Sequence, residues 1–236
     1  MSTFDDVRAD LRALENPADA AFLQRFFKTG PGEYGEGDRF AGIRVPQLRA
    51  LAKKHAELSL ADTAELLRSP VHEHRLLALL LMVHRYRRGT ATEREAVYRA
   101  YLASTAYVNN WDLVDASAEH IVGAELVDRE RAPLFTLAKS DSVWERRIAI
   151  MATFHLIKRG EFGPTLRVAE ILLHDRHDLI QKAVGWMLRE IGKRDRATEE
   201  EFLRRHCREM PRTMLRYAIE RFPNELRRRY MRGEVD

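Results

Sequence analysis

Apolar residues recur at three- and four-residue intervals through almost the whole chain, and no short segment alternates apolar and polar positions as a half-buried strand does. This periodicity predicts helices near 4–14, 17–28, 46–56, 60–68, 71–88, 91–104, 111–122, 131–139, 142–159, 163–173, 178–193, 197–209 and 212–222. Pro17, Pro46 and Pro211 fall at or near helix starts, where a missing N–H is harmless, and Gly89, Gly123, Gly160 and Gly192 fall near helix ends. One stretch, 29–45, escapes the pattern. It holds Gly30, Gly32, Gly35, Gly37 and Gly42, follows no strand, lacks phosphate-loop spacing, and reads as a surface loop.

The helices repeat. Arg75, Trp111, Arg147 and Ala183 lie 36 residues apart near the starts of four predicted helices. Two of those helices are alike in sequence: Glu73-His74-Arg75 running to Arg88-Gly89, and Glu145-Arg146-Arg147 running to Arg159-Gly160. A period of this length with two helices per unit predicts an α-solenoid, in which stacked pairs share one continuous core because no pair buries its apolar face alone. The expectation is a single domain over residues 1–236, with equivalent helices lining a concave surface.

Composition adds limits. The chain has 236 residues, enough for a sizeable core, and no run approaches the ~18 apolar residues of a membrane span. The N-terminal Met-Ser-Thr-Phe-Asp-Asp is acidic and has no signal-peptide pattern, and Cys207 is the only cysteine, so a cytoplasmic protein without an intrachain disulfide is expected. No Cys or His spacing suits zinc: His72 and His74 share no helix face, and His174 and His177 read as polar surface. No metal or cofactor is expected. Net charge is +4, but 33 of the 40 basic residues are Arg. Arg forks suit phosphate, although a GC-rich coding bias also yields such an excess.

Candidate chemistry centres on Asn109-Asn110-Trp111-Asp112-Leu113-Val114-Asp115. Asn110 is a good N-cap, so Trp111 begins a helix and Asp115 is its neighbour one turn on. On that helix Val114, Ala118 and Ile121 mark the core face, Trp111 and Asp115 lie along its edge, and Asp112 points toward solvent. An aromatic face beside a carboxylate can hold a sugar and favour positive charge on it. The same pair also fits a core-edge Trp with an Asp that complements the helix dipole. Arg147 falls inside the apolar stripe of its helix with Arg146 at the border, which requires either a structural ion pair or a groove in which Arg147 grips a phosphate. Trp186 lies away from the Ile180, Val184, Met187 and Ile191 face, flanked by Lys182 and Arg189. An exposed Trp between two cations suits either a nucleic-acid backbone or a partner protein. Arg212 and Arg216 are surface positions open to phosphate contact, and Arg227-Arg228-Arg229 reads as a solvated tail.

Three stretches, Asn-Asn-Trp-Asp-Leu-Val-Asp (109–115), Trp-Glu-Arg-Arg-Ile-Ala-Ile (144–150) and Ile-Gln-Lys-Ala-Val-Gly-Trp-Met-Leu-Arg-Glu (180–190), with the spacing between them, resemble the AlkD-like family of DNA alkylation repair glycosylases. The resemblance implies an all-α solenoid of HEAT-like repeats with a concave DNA-binding surface. It implies a monomeric glycosylase that hydrolyses the N-glycosidic bond of N3- and N7-alkylated purines in duplex DNA without flipping the base. Carried over by motif, the catalytic carboxylate falls on Asp115, the aromatic residues beside the deoxyribose and backbone on Trp111 and Trp186, and the site arginine on Arg147. Lys182, Arg189, Arg146, Arg212 and Arg216 become candidate DNA contacts, and an N-terminal family aromatic falls near Phe26. Two other readings stand beside this one: a non-catalytic relative that binds distorted or branched DNA, and a protein-binding helical scaffold.

Overall fold

The computed structural model describes residues 2–235. The described chain is all-α, with 14 α-helices and a few short 3₁₀ and π turns, and its one β feature is an isolated bridge between Arg39 and Val71. It divides into two compact units, Met1–Ile121 and Val122–Asp236.

The first unit contains α1 (Phe4–Leu14), α2 (Pro17–Gln24), α3 (Val45–Lys54), α4 (Leu60–Leu67), α5 (His72–Arg88), α6 (Ala91–Leu102) and α7 (Trp111–Ala118). Its starts are written in the sequence. Thr3 and Asp6 form a reciprocal capping box on α1, and Asn16 caps α2 with Pro17 at its first position. The centre is α5, on which α3, α4, α6 and α7 all pack. Its Leu76, Leu77, Ala78, Leu79, Leu81, Met82 and Val83 are buried in a near-continuous run. A helix apolar on nearly every side is stable only when surrounded.

The second unit contains α8 (Ala132–Ala138), α9 (Val143–Lys158), α10 (Gly163–Ile171), α11 (Asp178–Gly192), α12 (Arg196–His206), α13 (Arg212–Ala218) and α14 (Asn224–Arg232). Each long helix packs on its sequence neighbours and on the helix two along: α9 on α8, α10 and α11, and α11 on α10, α12 and α13. This is the contact pattern of a helical repeat. Gly185 lets α11 and α13 approach closely, since a Cβ there would overlap the Met214 carbonyl and crowd Tyr217. Gly192 likewise leaves room for the buried carboxyl of Glu199 on α12.

Several boundaries differ from the periodic reading. α2 stops at Gln24 because the chain tightens into turns that pair Phe26 with Leu23 and Phe27 with Gln24. α7 gives way after Ala118 to one π-helical turn, Glu119–Gly123, and α13 to a 3₁₀ turn, Ile219–Arg221. The arginine run 227–229 lies on α14 rather than on a solvated tail. That helix is anchored by buried Tyr230, edge-on to Phe222 at 5.4 Å, and ends at Gly233 with φ 71°. Its apolar side is narrow but well separated from its charges; the segment is so rich in arginine that it reads as a solvated tail although its apolar positions share one face. No described helix is long and apolar enough to cross a membrane.

Candidate active site

In the first unit, the start of α7 is fixed from both sides. Asn110 is fully buried; its side-chain oxygen accepts from the Trp111 N–H at 2.8 Å, and its amide donates to Asp38 at 2.9 Å. Trp111 and Asp115 are both half-buried, one turn apart on the same helix. Behind Asp115, Tyr101 is buried and bonds Ser117 at 3.0 Å; burial first, and the Asp115 charge after it, raise its phenol further above its ordinary value. Trp111 is braced by Phe27, whose ring stacks on it with centroids 5.4 Å apart. Phe27 and Phe40 also lie against each other at 5.1 Å and against His72, each at 4.9 Å.

Asp112 departs from the sequence reading. It turns inward, holding the buried His72 ring through Nε2 at 2.8 Å. On the other side His72 Nδ1 meets Asp38 at 3.2 Å, and Asp38 also accepts from Arg75 at 2.5 Å. Burial opposes charge on the imidazole, but the bonds and charges of Asp112 and Asp38 outweigh it and push the ring up to about 9. Burial also works against the Asp38 carboxylate, yet His72, Arg75 and Asn110 hold it below the usual range. None of Asp38, His72 and Asp112 was singled out from the sequence as functional. The sequence carries little signal for them: His72 opens α5, and the two carboxylates that hold it lie 34 and 40 residues away.

The glycine-rich segment is therefore no loose surface loop at its C-terminal half. Asp38 reaches from it to α5 and to Asn110, while Glu73 of α5 reaches back, accepting from the N–H groups of Ala41, Gly42 and Ile43 at 2.9, 2.8 and 3.3 Å. Gly42 has φ 80°, and a Cβ there would collide with the backbone of Asn16 and Ala20, so glycine is required on both counts. Phe26, the expected N-terminal aromatic, is 60% exposed and packs edge-on with Phe22 at 5.4 Å. Its neighbour Phe27 is the one that meets Trp111.

In the second unit, Arg147 of α9 is buried, and Nη1 donates to the Leu179 carbonyl at 2.7 Å in the first turn of α11. Arg146 ties the start of α9 to the segment before α11: Nε donates to Asp175 at 2.7 Å and Nη1 to the Ser140 and Asp141 carbonyls at 2.9 and 2.8 Å. α9 packs on α11, which brings Phe154 to 6.2 Å from Trp186. Trp186 is half-buried rather than fully exposed, and its indole N–H donates to Glu190 at 3.2 Å. Burial raises the Glu190 carboxyl, but bonds from Lys193, Trp186 and Arg194 prevail and hold it below its ordinary value. The two flanking cations are answered by carboxylates, Lys182 by Asp178 at 2.6 Å and Arg189 by Glu220. Arg212 and Arg216 are exposed on α13, and Arg212 bonds the Met231 carbonyl at 2.5 Å. No cluster of His, Cys, Asp and Glu suited to a metal ion occurs among the described residues.

The sequence model of a family described as DNA alkylation repair enzyme matches residues 7–222. Among solved structures, a chain described as a predicted DNA alkylation repair enzyme from Enterococcus faecalis is similar in fold, with a TM-score of 0.69 and 20% identity over 89% of this chain and 97% of that one. No match was found among the curated proteins.

Proposed function

The chain belongs to the DNA alkylation repair enzyme family, which makes it an enzyme of alkylation repair acting on DNA, and we propose that it is a glycosylase hydrolysing the N-glycosidic bond of N3- and N7-alkylated purines in duplex DNA. The observation that carries this reading is the N-terminal half of α7, where half-buried Asp115 stands one turn from a braced Trp111.

The chemistry suits a carboxylate acting without a proton donor. An N3- or N7-alkylpurine is already cationic, so it leaves as a neutral base and needs no general acid. What requires stabilisation is the oxocarbenium-like deoxyribose left behind. Asp115 stabilises that charge and orients a water toward the anomeric carbon. Trp111 packs on sugar C–H groups, with its π face favouring cationic character. In the second unit, Trp186 contacts sugar and backbone and Arg147 a phosphate. Lys182, Arg189 and Arg212 add backbone contacts by exchanging or extending the pairs seen in the free protein, and exposed Arg216 adds another. No step needs a cofactor, and the protein acts as a monomer on duplex DNA.

The test is a duplex carrying one 7-methylguanine, incubated with wild type and with Asp115→Asn. Wild type is expected to release the free base and leave an abasic site, and the variant to lose roughly 10²–10³-fold in rate while keeping its affinity for the duplex. Loss of binding in parallel with rate would remove the assigned role from Asp115. Because the substrate supplies its own charge, the uncharged lesion 1,N6-ethenoadenine should be released far more slowly, and equal rates would sink the mechanism.

A further inference from the structure

His72 is the largest feature of the first unit that the mechanism leaves unused. Its ring is buried and makes one bond from each nitrogen to a carboxylate, Asp38 from the 29–45 segment and Asp112 from α7. Only an imidazolium can donate from both nitrogens; a neutral ring presents a lone pair to one of the two carboxylates. The other charged groups of this cluster are also accounted for. Arg75, on the same helix as His72, binds Asp38, and Glu73 is turned toward the 41–43 amides. Phe27 and Phe40 cover the ring and bring no charge.

Each partner of His72 leads to Trp111. Asp112 follows Trp111 directly in the chain. Asp38 holds Asn110, whose side chain caps the Trp111 N–H. Phe27 lies on His72 with one contact and on Trp111 with another. The positive ring thus fixes the residues before and after Trp111 and the aromatic that braces it, in the turn that immediately precedes Asp115.

We propose that His72, as an imidazolium clamped between Asp38 and Asp112, is a positioning residue that sets Trp111 and the first turn of α7 for base excision. This rests on the glycosylase reading for its effect on rate, but the clamp has a readout of its own. Removing the proton opens one of the two bonds and lets the turn relax, so excision should fall on the alkaline side as His72 loses its charge.

The experiment measures single-turnover release of 7-methylguanine from a duplex between pH 6 and 10 for wild type and His72→Gln, alongside the NMR signal of the Trp111 indole N–H, assigned with Trp111→Phe. The ratio of the two rates is read, because the substrate's own ionisation cancels in it. Wild type is expected to exceed the variant about 10- to 100-fold at pH 7, with the advantage collapsing near pH 9 and duplex affinity unchanged within twofold. The Trp111 signal should titrate over the same range in wild type and not in His72→Gln. A ratio flat with pH, or a Trp111 signal indifferent to the substitution, overturns the proposal. Should His72→Gln not fold, Asp112→Asn replaces it: losing one carboxylate should move the alkaline fall to lower pH, and an unmoved profile counts against the clamp. Absence of base release by wild type would refute the glycosylase reading, and the Trp111 titration would then decide the clamp by itself.

Discussion

Each unit buries a side chain that holds a proton at neutral pH, and the two do so for opposite reasons. His72 in the first unit keeps its proton because two carboxylates attract it. Glu199 in the second is 2% exposed, its Oε1 has no hydrogen-bond partner, and burial pushes its carboxyl up to about 8 against the pull of Arg196. In one place a charge is made affordable by its neighbours; in the other a charge is avoided. The difference follows from what was built around them, a closed set of reciprocal ion pairs beside α7 and a space left by Gly192 under α12.

The comparison breaks most visibly at Glu199. Its carboxyl titrates higher in the folded state than the ordinary 4.5, so stability should fall as pH rises from there through about 8. Glu199→Gln should remove that slope, matching wild type near pH 5 and exceeding it by about 5 kcal/mol at pH 9 in urea unfolding. A variant no more stable at pH 9 would mean that the ionised carboxylate has found a partner. His72 sits in the same direction of pH for the contrary reason: its contribution is complete below 6.5 and lost as pH rises through about 9. Asp38→Asn, which takes one counter-charge from both His72 and Arg75, should cost about 3 kcal/mol at pH 7 by the same measurement. Little change would show that Asp112 suffices alone. The smallest effect is expected at Glu190, a buried glutamate in the second unit that does have donors in Lys193, Arg194 and Trp186. Glu190→Gln should cost about 1–2 kcal/mol at neutral pH, and the difference should shrink as acid protonates the wild-type carboxylate.

How much of this was readable beforehand depends on the range of the interaction. Helices were legible because their cause is local: caps such as Thr3 and Asn16, and apolar spacing around α5, α9 and α11, need no knowledge of the rest of the chain. α14 was missed because a segment so rich in arginine reads as a solvated tail. The motif at 109–115 was legible as a cap, an aromatic and a carboxylate one turn on. Its surroundings were not. A helical wheel sends Asp112 outward because it knows only α7, whereas its partner His72 lies 40 residues away on α5. Asp38 in a glycine-rich stretch looks like solvated loop, and its partners lie 34, 37 and 72 residues further on. The wheel sets Trp186 off from the core face as exposed, whereas it is half-buried near Phe154, and Glu190 beside its indole and the carboxylates on Lys182 and Arg189 come from pairings that periodicity does not rank.

The charge of the chain is also unevenly shared. Residues 1–121 carry 16 basic and 17 acidic side chains, whereas residues 122–236 carry 24 and 19, so the whole positive excess belongs to the second unit. The charge that would favour a polyanion is thus concentrated in that half, while the carboxylate proposed for chemistry lies in the half whose charges nearly cancel.

Asn110 has a consequence for substitution. An ordinary N-cap is interchangeable: Ser, Thr, Asp and Asn all supply an accepting oxygen. Here the same side chain must also donate, because its amide nitrogen holds Asp38. Asp would set two carboxylates against each other, Ser and Thr are too short to serve both ends, and Gln displaces the oxygen from the Trp111 N–H. A position that looks like one of the most permissive in a helix is thereby reduced to a vocabulary of one letter.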